Sequence, residues 1–119
     1  MAGTSRRVLQ VMDQGDLTVV RFVDPQIVDE VIIKAIGDQL FGLVEDLGRL
    51  KLRLDFTGVE LMASAMLGKL VATQRKLEAH GGRIAFCKVD AFLLQIFNLV
   101  RLPDLIPICA DEQEAIESL

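Results

Sequence analysis

The sequence predicts an α/β layered fold with a largely parallel sheet, and three observations carry that expectation. Two short apolar runs near the start are joined by a glycine-containing loop, as in a β-hairpin. Beyond them, apolar runs of strand length alternate with segments whose apolar residues recur every three or four positions. Such alternation is the mark of strands joined by crossover helices, which makes neighbouring strands parallel. Finally, 119 residues is close to the usual size of one domain, so residues 1–119 are expected to share one core without a linker.

Taken in order, residues 8–12 and 17–23 form the hairpin, with Asp13-Gln14-Gly15-Asp16 as its loop. Asp24-Pro25 stops the second strand, because proline has no N–H to give to a ladder. Ile33, Ile36, Leu40, Leu43, Val44 and Leu47 then trace one face of a helix, which Gly48 ends. Residues 50–56 alternate Leu50, Leu52, Leu54 and Phe56 with Lys51, Arg53 and Asp55, so this strand is expected to leave one face less buried. A second helix over 63–80 stops at Gly81-Gly82, with His80 at its end, where a positive charge suits the helix dipole. Arg83–Cys87 reads as a strand, 90–99 as a third helix, 106–110 as a final strand and 111–119 as a short acidic helix.

Composition excludes several function classes. Hydrophobic residues make up 51% of the chain and mean hydropathy is +0.39, yet no apolar run reaches the roughly 18 residues that span a bilayer. Arg6 and Arg7 have no apolar stretch directly after them, so the start does not read as a signal peptide, and a cytoplasmic protein is expected. A net charge of −4 and scattered Arg75, Lys76, Arg83 and Lys88 argue against nucleic acid. Cys87 and Cys109 lack CxxC spacing and read as free buried thiols. One histidine and no base near a nucleophile leave no metal site or catalytic triad to assemble, so neither an enzyme nor a cofactor is expected.

The informative stretch runs from Leu52 to Gly68: a strand ending at Asp55, a turn, then Ser64 at the mouth of a helix. A hydroxyl there can cap the orphan backbone donors, or carry a phosphate where the helix dipole tolerates negative charge. The helix itself has two faces. Ala63, Leu67, Leu70, Val71, Gln74 and Leu77 are expected to form the core stripe. Ser64, Ala65, Gly68, Ala72, Arg75 and Ala79 form a flat face of small residues broken only by Arg75. Glycine inside a helix costs about 1 kcal/mol relative to alanine, so Gly68 implies that something needs the space, either a docking partner or a close neighbour in the chain.

Asp55-Phe56-Thr57-Gly58-Val59, the Met62-Ala63-Ser64 turn into Leu67-Gly68, and Gly81-Gly82-Arg83-Ile84-Ala85-Phe86-Cys87 together resemble the STAS family of anti-sigma factor antagonists and related stressosome and transporter domains. The order of elements matches over nearly the whole chain. The resemblance implies a mixed, mostly parallel sheet of about five strands with helices mainly on one face. It makes Ser64 the phosphorylated serine. Thr57, in the turn before Gly58 where a threonine hydroxyl commonly bonds local backbone, is a weaker second acceptor. Family members carry Asp-Ser-Ser/Thr-Gly-Leu-Gly at this turn; here Ala63, Ala65 and Met66 stand at three of those positions, and Ser64, Leu67 and Gly68 are kept. Asp24 is the acidic counterpart of the turn that the family places before its first helix.

From the resemblance follows a partner-switching role. Unphosphorylated, such a protein captures an anti-sigma factor that is also a serine kinase, and a serine phosphatase resets the switch. Asp24, Gly58, Ala65, Met66, Gly68, Ala72 and Arg75 are the expected partner-binding set. A competing reading is a scaffold. Phe92, Leu93, Leu94, Ile96, Phe97 and Leu99 are too many for one inward face of a short helix, so Phe92 or Leu94 is expected on the surface or against a second copy, as in a homodimer or stressosome-like assembly. Binding of a nucleotide or lipid is implied only by family habit, since no glycine-rich phosphate loop is present.

Overall fold

The computed structural model describes residues 7–119; the reading that rested on Arg6 lies outside them. The hairpin is β1 (Leu9–Gln14) and β2 (Leu17–Phe22), antiparallel and closed by Gly15-Asp16, Gly15 taking φ +67 in the tight turn. The strands β4 (Lys51–Asp55), β6 (Arg83–Cys87) and β7 (Ile108–Cys109) follow β2 in parallel, giving the sheet order β1-β2-β4-β6-β7. The crossovers hold α1 (Glu30–Glu45), α2 (Ser64–Ala79) and α3 (Ala91–Leu99). Each crossover steps the same way along the sheet, and right-handed connections therefore put all three helices on one face. Helix α4 (Glu112–Glu117) packs on β6 and β7 from the other face.

The main core lies between the sheet and α1–α3. Val20, Phe22, Leu52, Leu54, Ile84 and Phe86 from the strands meet Ile33, Ile36, Leu40, Leu43 and Val44 of α1. Phe56 stands at the end of β4 with its ring centroid 5.0 Å from that of Phe22, 4.7 Å from Phe86 and 5.7 Å from Phe97 of α3. These tilted and edge-on ring contacts fix the carboxyl ends of the strands against α3. At the other end of β6, a Cβ on Gly82 would stand 2.6 Å from the Leu50 carbonyl oxygen, so only glycine lets the chain pass there.

Several expectations need correction. The strand over 50–56 has no open face: β4 is the central strand, and Arg53 and Asp55 are buried on the side that α4 helps to cover. Helix α2 is rolled away from the expected stripe. Its buried residues are Met66, Leu70, Thr73 and Leu77, while Ala63, Leu67, Val71 and Gln74 are half-buried. Thr73 can face the core because its hydroxyl donates to the Lys69 carbonyl, 2.8 Å away, so no polar group is orphaned. Leu47 lies beyond the end of α1 and is exposed, with Gly48 at φ +64 in the turn that follows. The last strand shrinks to two residues because a 3-10 turn, Leu102–Asp104, precedes it; Ile106 joins the core as loop.

Two further strands were not legible in the sequence. Gln26–Ile27 (β3) and Leu61–Met62 (β5) pair in parallel apart from the main sheet. Two residues carry no periodicity, yet this small ladder ties the start of α1 to the start of α2.

Candidate functional site

The site is assembled from the end of β4 onward. Asp55 is wholly buried; one carboxylate oxygen accepts from the Nε of Arg21 at 3.1 Å and stands in ion-pair contact, also at 3.1 Å, with its Nη2. The other accepts the backbone N–H of Thr57 at 2.9 Å and the Thr57 hydroxyl. Burial alone would push this carboxyl up, but the two Thr57 hydrogen bonds and the charges of Arg21 and Lys88 outweigh it and hold it below its ordinary value. The next residues turn back on themselves: Val59 N–H donates to the Phe56 carbonyl at 3.0 Å, with Gly58 at φ +81. A positive φ at the third position of such a turn is why glycine stands there.

From the turn the chain reaches β5. Glu60 N–H donates to the Pro25 carbonyl at 2.7 Å, and Ala63 N–H donates to the Ile27 carbonyl at 2.9 Å. These bonds lock the entry of α2 to the segment that holds Asp24 and Ile27. Ala63 is the N-cap of α2, with φ −74 and ψ 154, and no side chain caps the helix. Ser64 is thus the first helical residue rather than the cap, and it is exposed. Its hydroxyl has no hydrogen-bond partner among the described residues. The backbone donors of the first turn point outward as at any helix start, where the dipole favours negative charge.

One turn further, Gly68 is exposed, and a Cβ built on it would meet nothing within 4 Å. No neighbour among the described residues needs the space, which argues against internal packing as the reason for a glycine in mid-helix. Ala65 and Arg75 are exposed too, and Ala72 is half-buried, so Ser64, Gly68, Ala72 and Arg75 follow one row along the open side of α2. Met66 does not belong to this face: it is fully buried beneath the helix, a consequence of the roll described above. Asp24 is half-buried beside the strap between Pro25 and Glu60. Thr57 and Gly58 are exposed but line a separate open cleft of about 540 Å³, formed with Phe56, Val59 and Glu60 on one side and Lys88, Val89 and Asp90 on the other.

Sequence reasoning missed three apolar residues at this end of the molecule. Val28, Val31 and Leu61 are all exposed, Val31 by 75%. Val28 directly follows β3 and Leu61 lies in β5, so both flank the Ile27–Ala63 bond that leads into Ser64. Only the pairing of β3 with β5 brings them together; in the sequence they look like ordinary core valines and leucines.

On α3, Asp90 caps the helix by accepting from Phe92 N–H at 3.0 Å and Leu93 N–H at 3.4 Å. Leu93 and Phe97 are the buried residues. Phe92 is 56% exposed as expected, Leu94 is only half-buried, and Leu99, at 82%, is the most exposed large apolar side chain in this region. Among the described residues, no group of three or more His, Cys, Asp and Glu could hold a metal ion, and no helix is long and apolar enough to cross a membrane.

The family model of the STAS domain matches residues 8–115. The fold is that of several solved structures of low sequence identity. An anti-sigma-factor antagonist (STAS) domain protein from Planctomyces limnophilus superimposes with a TM-score of 0.80 at 20% identity, covering 92% of this chain and 95% of that one. An anti-sigma factor antagonist from Mycobacterium paratuberculosis gives 0.79 at 24% identity, covering 92% and 91%. The Bacillus cell fate determinant SpoIIAA, in its phosphorylated form, gives 0.70 at 19% identity, covering 92% and 97%. No curated protein is significantly similar to the chain in sequence.

Proposed function

The chain belongs to the STAS domain family, and on that footing we propose that it acts as an anti-sigma factor antagonist in a cytoplasmic partner-switching pathway. In this reading the partner is an anti-sigma factor that is also a serine kinase. The kinase phosphorylates Ser64, and a serine phosphatase removes the group. The protein is the regulated component and not an enzyme, since its side chain receives the phosphate.

The observation that carries the reading is the setting of Ser64: exposed, uninvolved in capping, and followed one turn later by a glycine in open space. A phosphate on Ser64 adds roughly −1.5 to −2 charge near pH 7, next to backbone donors that have no helical acceptor. The domain tolerates that charge. A partner seated on Ala65, Gly68, Ala72 and Arg75 with Val28, Val31 and Leu61 must instead desolvate it, and its affinity falls. Asp24 belongs to the rim of the same proposed surface, and Gly58, in the separate cleft, completes the proposed partner contact.

The test is to incubate the protein with ATP, magnesium and the candidate anti-sigma kinases of its own genome, then read the intact mass. One added phosphate in the wild type and none in Ser64→Ala supports the proposal. No phosphate with any kinase rejects it, and a phosphate that persists in Ser64→Ala but vanishes in Thr57→Ala moves the switch to Thr57.

A second reading is favoured by a different observation. Phe92, Leu99 and Val100 are exposed together at the two ends of α3 and just beyond it. A scaffold that self-associates through this helix, as a homodimer or a stressosome-like assembly, would bury them.

A further inference from the structure

On the face of the sheet away from α1–α3, a short helix covers two thiols. Cys87 ends β6 and Cys109 ends β7, and the two are partners in the parallel register. Both are free and buried. Partners across a ladder stand about 4.8 Å apart, within the roughly 4.4–6.8 Å of Cα separation that a disulfide spans. They share a small cluster with Ala85 of β6 and Ala115 of α4, with Leu119 packed at its margin. The Cys109 sulfur lies 3.5 Å from the Ser118 hydroxyl, just past the end of α4.

Among the described residues, Ala115 and Leu119 are the apolar contacts of this segment with the thiol cluster, and ion pairs add to them. Glu112 pairs with Lys88 at 2.7 Å and stands 3.9 Å from the Nη2 of Arg53. The Arg53 side chain is only 5% exposed, and its Nε has no hydrogen-bond partner among the described groups. Glu112 is therefore the carboxylate within ion-pair reach of this buried guanidinium. The other charges near Lys88 are Asp55, which Arg21 and Thr57 already engage, and Arg21 itself.

We propose that α4 is a charge-held cover whose opening exposes the Cys87–Cys109 pair to low-molecular-weight disulfides, Cys109 reacting first and the pair then closing into an intramolecular disulfide. Cys109 loses its proton to solvent, and its thiolate attacks one sulfur of the soluble disulfide. That forms a mixed disulfide and releases one small thiolate. Cys87, held opposite on β6, then attacks the Cys109 sulfur as its own proton leaves, and the second small thiolate departs. Two cysteine thiols are oxidised and one soluble disulfide is reduced to two thiols, so the step balances without another reagent. Cys109 comes first because β7 is the edge strand. Burial, and after it the charge of Asp55, pushes the Cys87 thiol up to about 11, which keeps it protonated while α4 is closed.

The proposal does not depend on the switch at Ser64. It is tested on the whole chain with oxidised glutathione, quenched with iodoacetamide and read by intact mass. Slow loss of two hydrogen masses is expected in the wild type, and reaction in Glu112→Gln at least about fivefold faster, because Lys88 and Arg53 lose their balancing charge. Added salt speeds the wild type by screening the same pairs, and this arm needs no variant to fold. Cys87→Ser is expected to stop at the mixed disulfide on Cys109. Equal rates in wild type and Glu112→Gln at every salt concentration overturn the proposal. So does a rate equal to hydrogen exchange of the β4 amides, which would mean that the thiols react only on whole-chain unfolding.

Discussion

Asp55 and Thr57 are bound to each other twice: the buried carboxylate at the end of β4 accepts both the backbone N–H and the hydroxyl of the residue two places on. The pair fixes where the sheet ends and the turn toward α2 begins. Replacing Thr57 with alanine removes one of these bonds and is expected to cost about 1 kcal/mol in urea unfolding. Asp55→Asn also strips Arg21 of its carboxylate and is expected to cost about 2 kcal/mol, the half-exposed arginine regaining part of its solvation.

The same carboxylate shapes the pH dependence. Asp55, Asp16 and Glu112 all have pKa values held below the ordinary carboxylate range in the folded chain. A carboxyl depressed in this way adds stability that is present above its unfolded pKa of about 4 and is lost as pH falls through the lower folded value. Stability is therefore expected to decline below about pH 4, and Asp55→Asn to flatten that decline, as urea midpoints measured across the range will read.

The uncapped start of α2 separates two roles for Ser64. Were the hydroxyl a cap, Ser64→Ala would cost about 0.5–2 kcal/mol. Since Ala63 occupies the cap position, the substitution is expected to change stability by less than about 0.5 kcal/mol, whereas Ala63→Asp should add about 1 kcal/mol. A loss above 1 kcal/mol in Ser64→Ala would contradict the geometry described above.

Gly68 offers a sharper separation of fold from function. A methyl group there meets open space, so Gly68→Ala is expected to stabilise the free protein by up to about 1 kcal/mol. If α2 is the docking face, Gly68→Leu keeps the melting temperature and weakens kinase binding at least about tenfold in titration calorimetry. Unchanged affinity would take the partner off this row. Gly82 behaves oppositely: Gly82→Ala drives a Cβ toward the Leu50 carbonyl and is expected to cost about 2 kcal/mol in chemical denaturation.

For the apolar patch on α3, sedimentation velocity over a wide concentration range is decisive. Self-association through this helix predicts a dimer that Phe92→Glu or Leu99→Glu disperses without lowering the melting temperature, because both side chains are exposed in the single chain. A monomer at every concentration rejects the scaffold reading.

Much of this is legible in the amino-acid sequence alone. The hairpin and the helical spacing of Ile33, Ile36, Leu40, Leu43 and Val44 are local signals, and each predicted element is present close to its expected place. The serine at the mouth of α2 was legible for the same reason, because a turn followed by a helix is written in neighbouring residues. Less legible was which side of α2 faces inward. Leu67 and Val71 outweigh Thr73 on any hydropathy scale, yet Thr73 is buried because its hydroxyl returns to the helix backbone. That rotation moved Met66 from the expected docking face into the core.

The sequence by itself determined the order of the main-sheet strands and the helices, the layered class, and a hydroxyl at the helix start, because these depend on periodicity and on residues adjacent in the chain. Only the tertiary structure decided which charges are buried, that Ala63 and not Ser64 holds the cap position, and that Val28 and Leu61 flank the entry of α2. The physical reason is that burial and electrostatics come from neighbours distant in sequence. Arg53 and Asp55 look like the solvent face of an edge strand until Arg21, Lys88 and Glu112 arrive from three other elements to meet them.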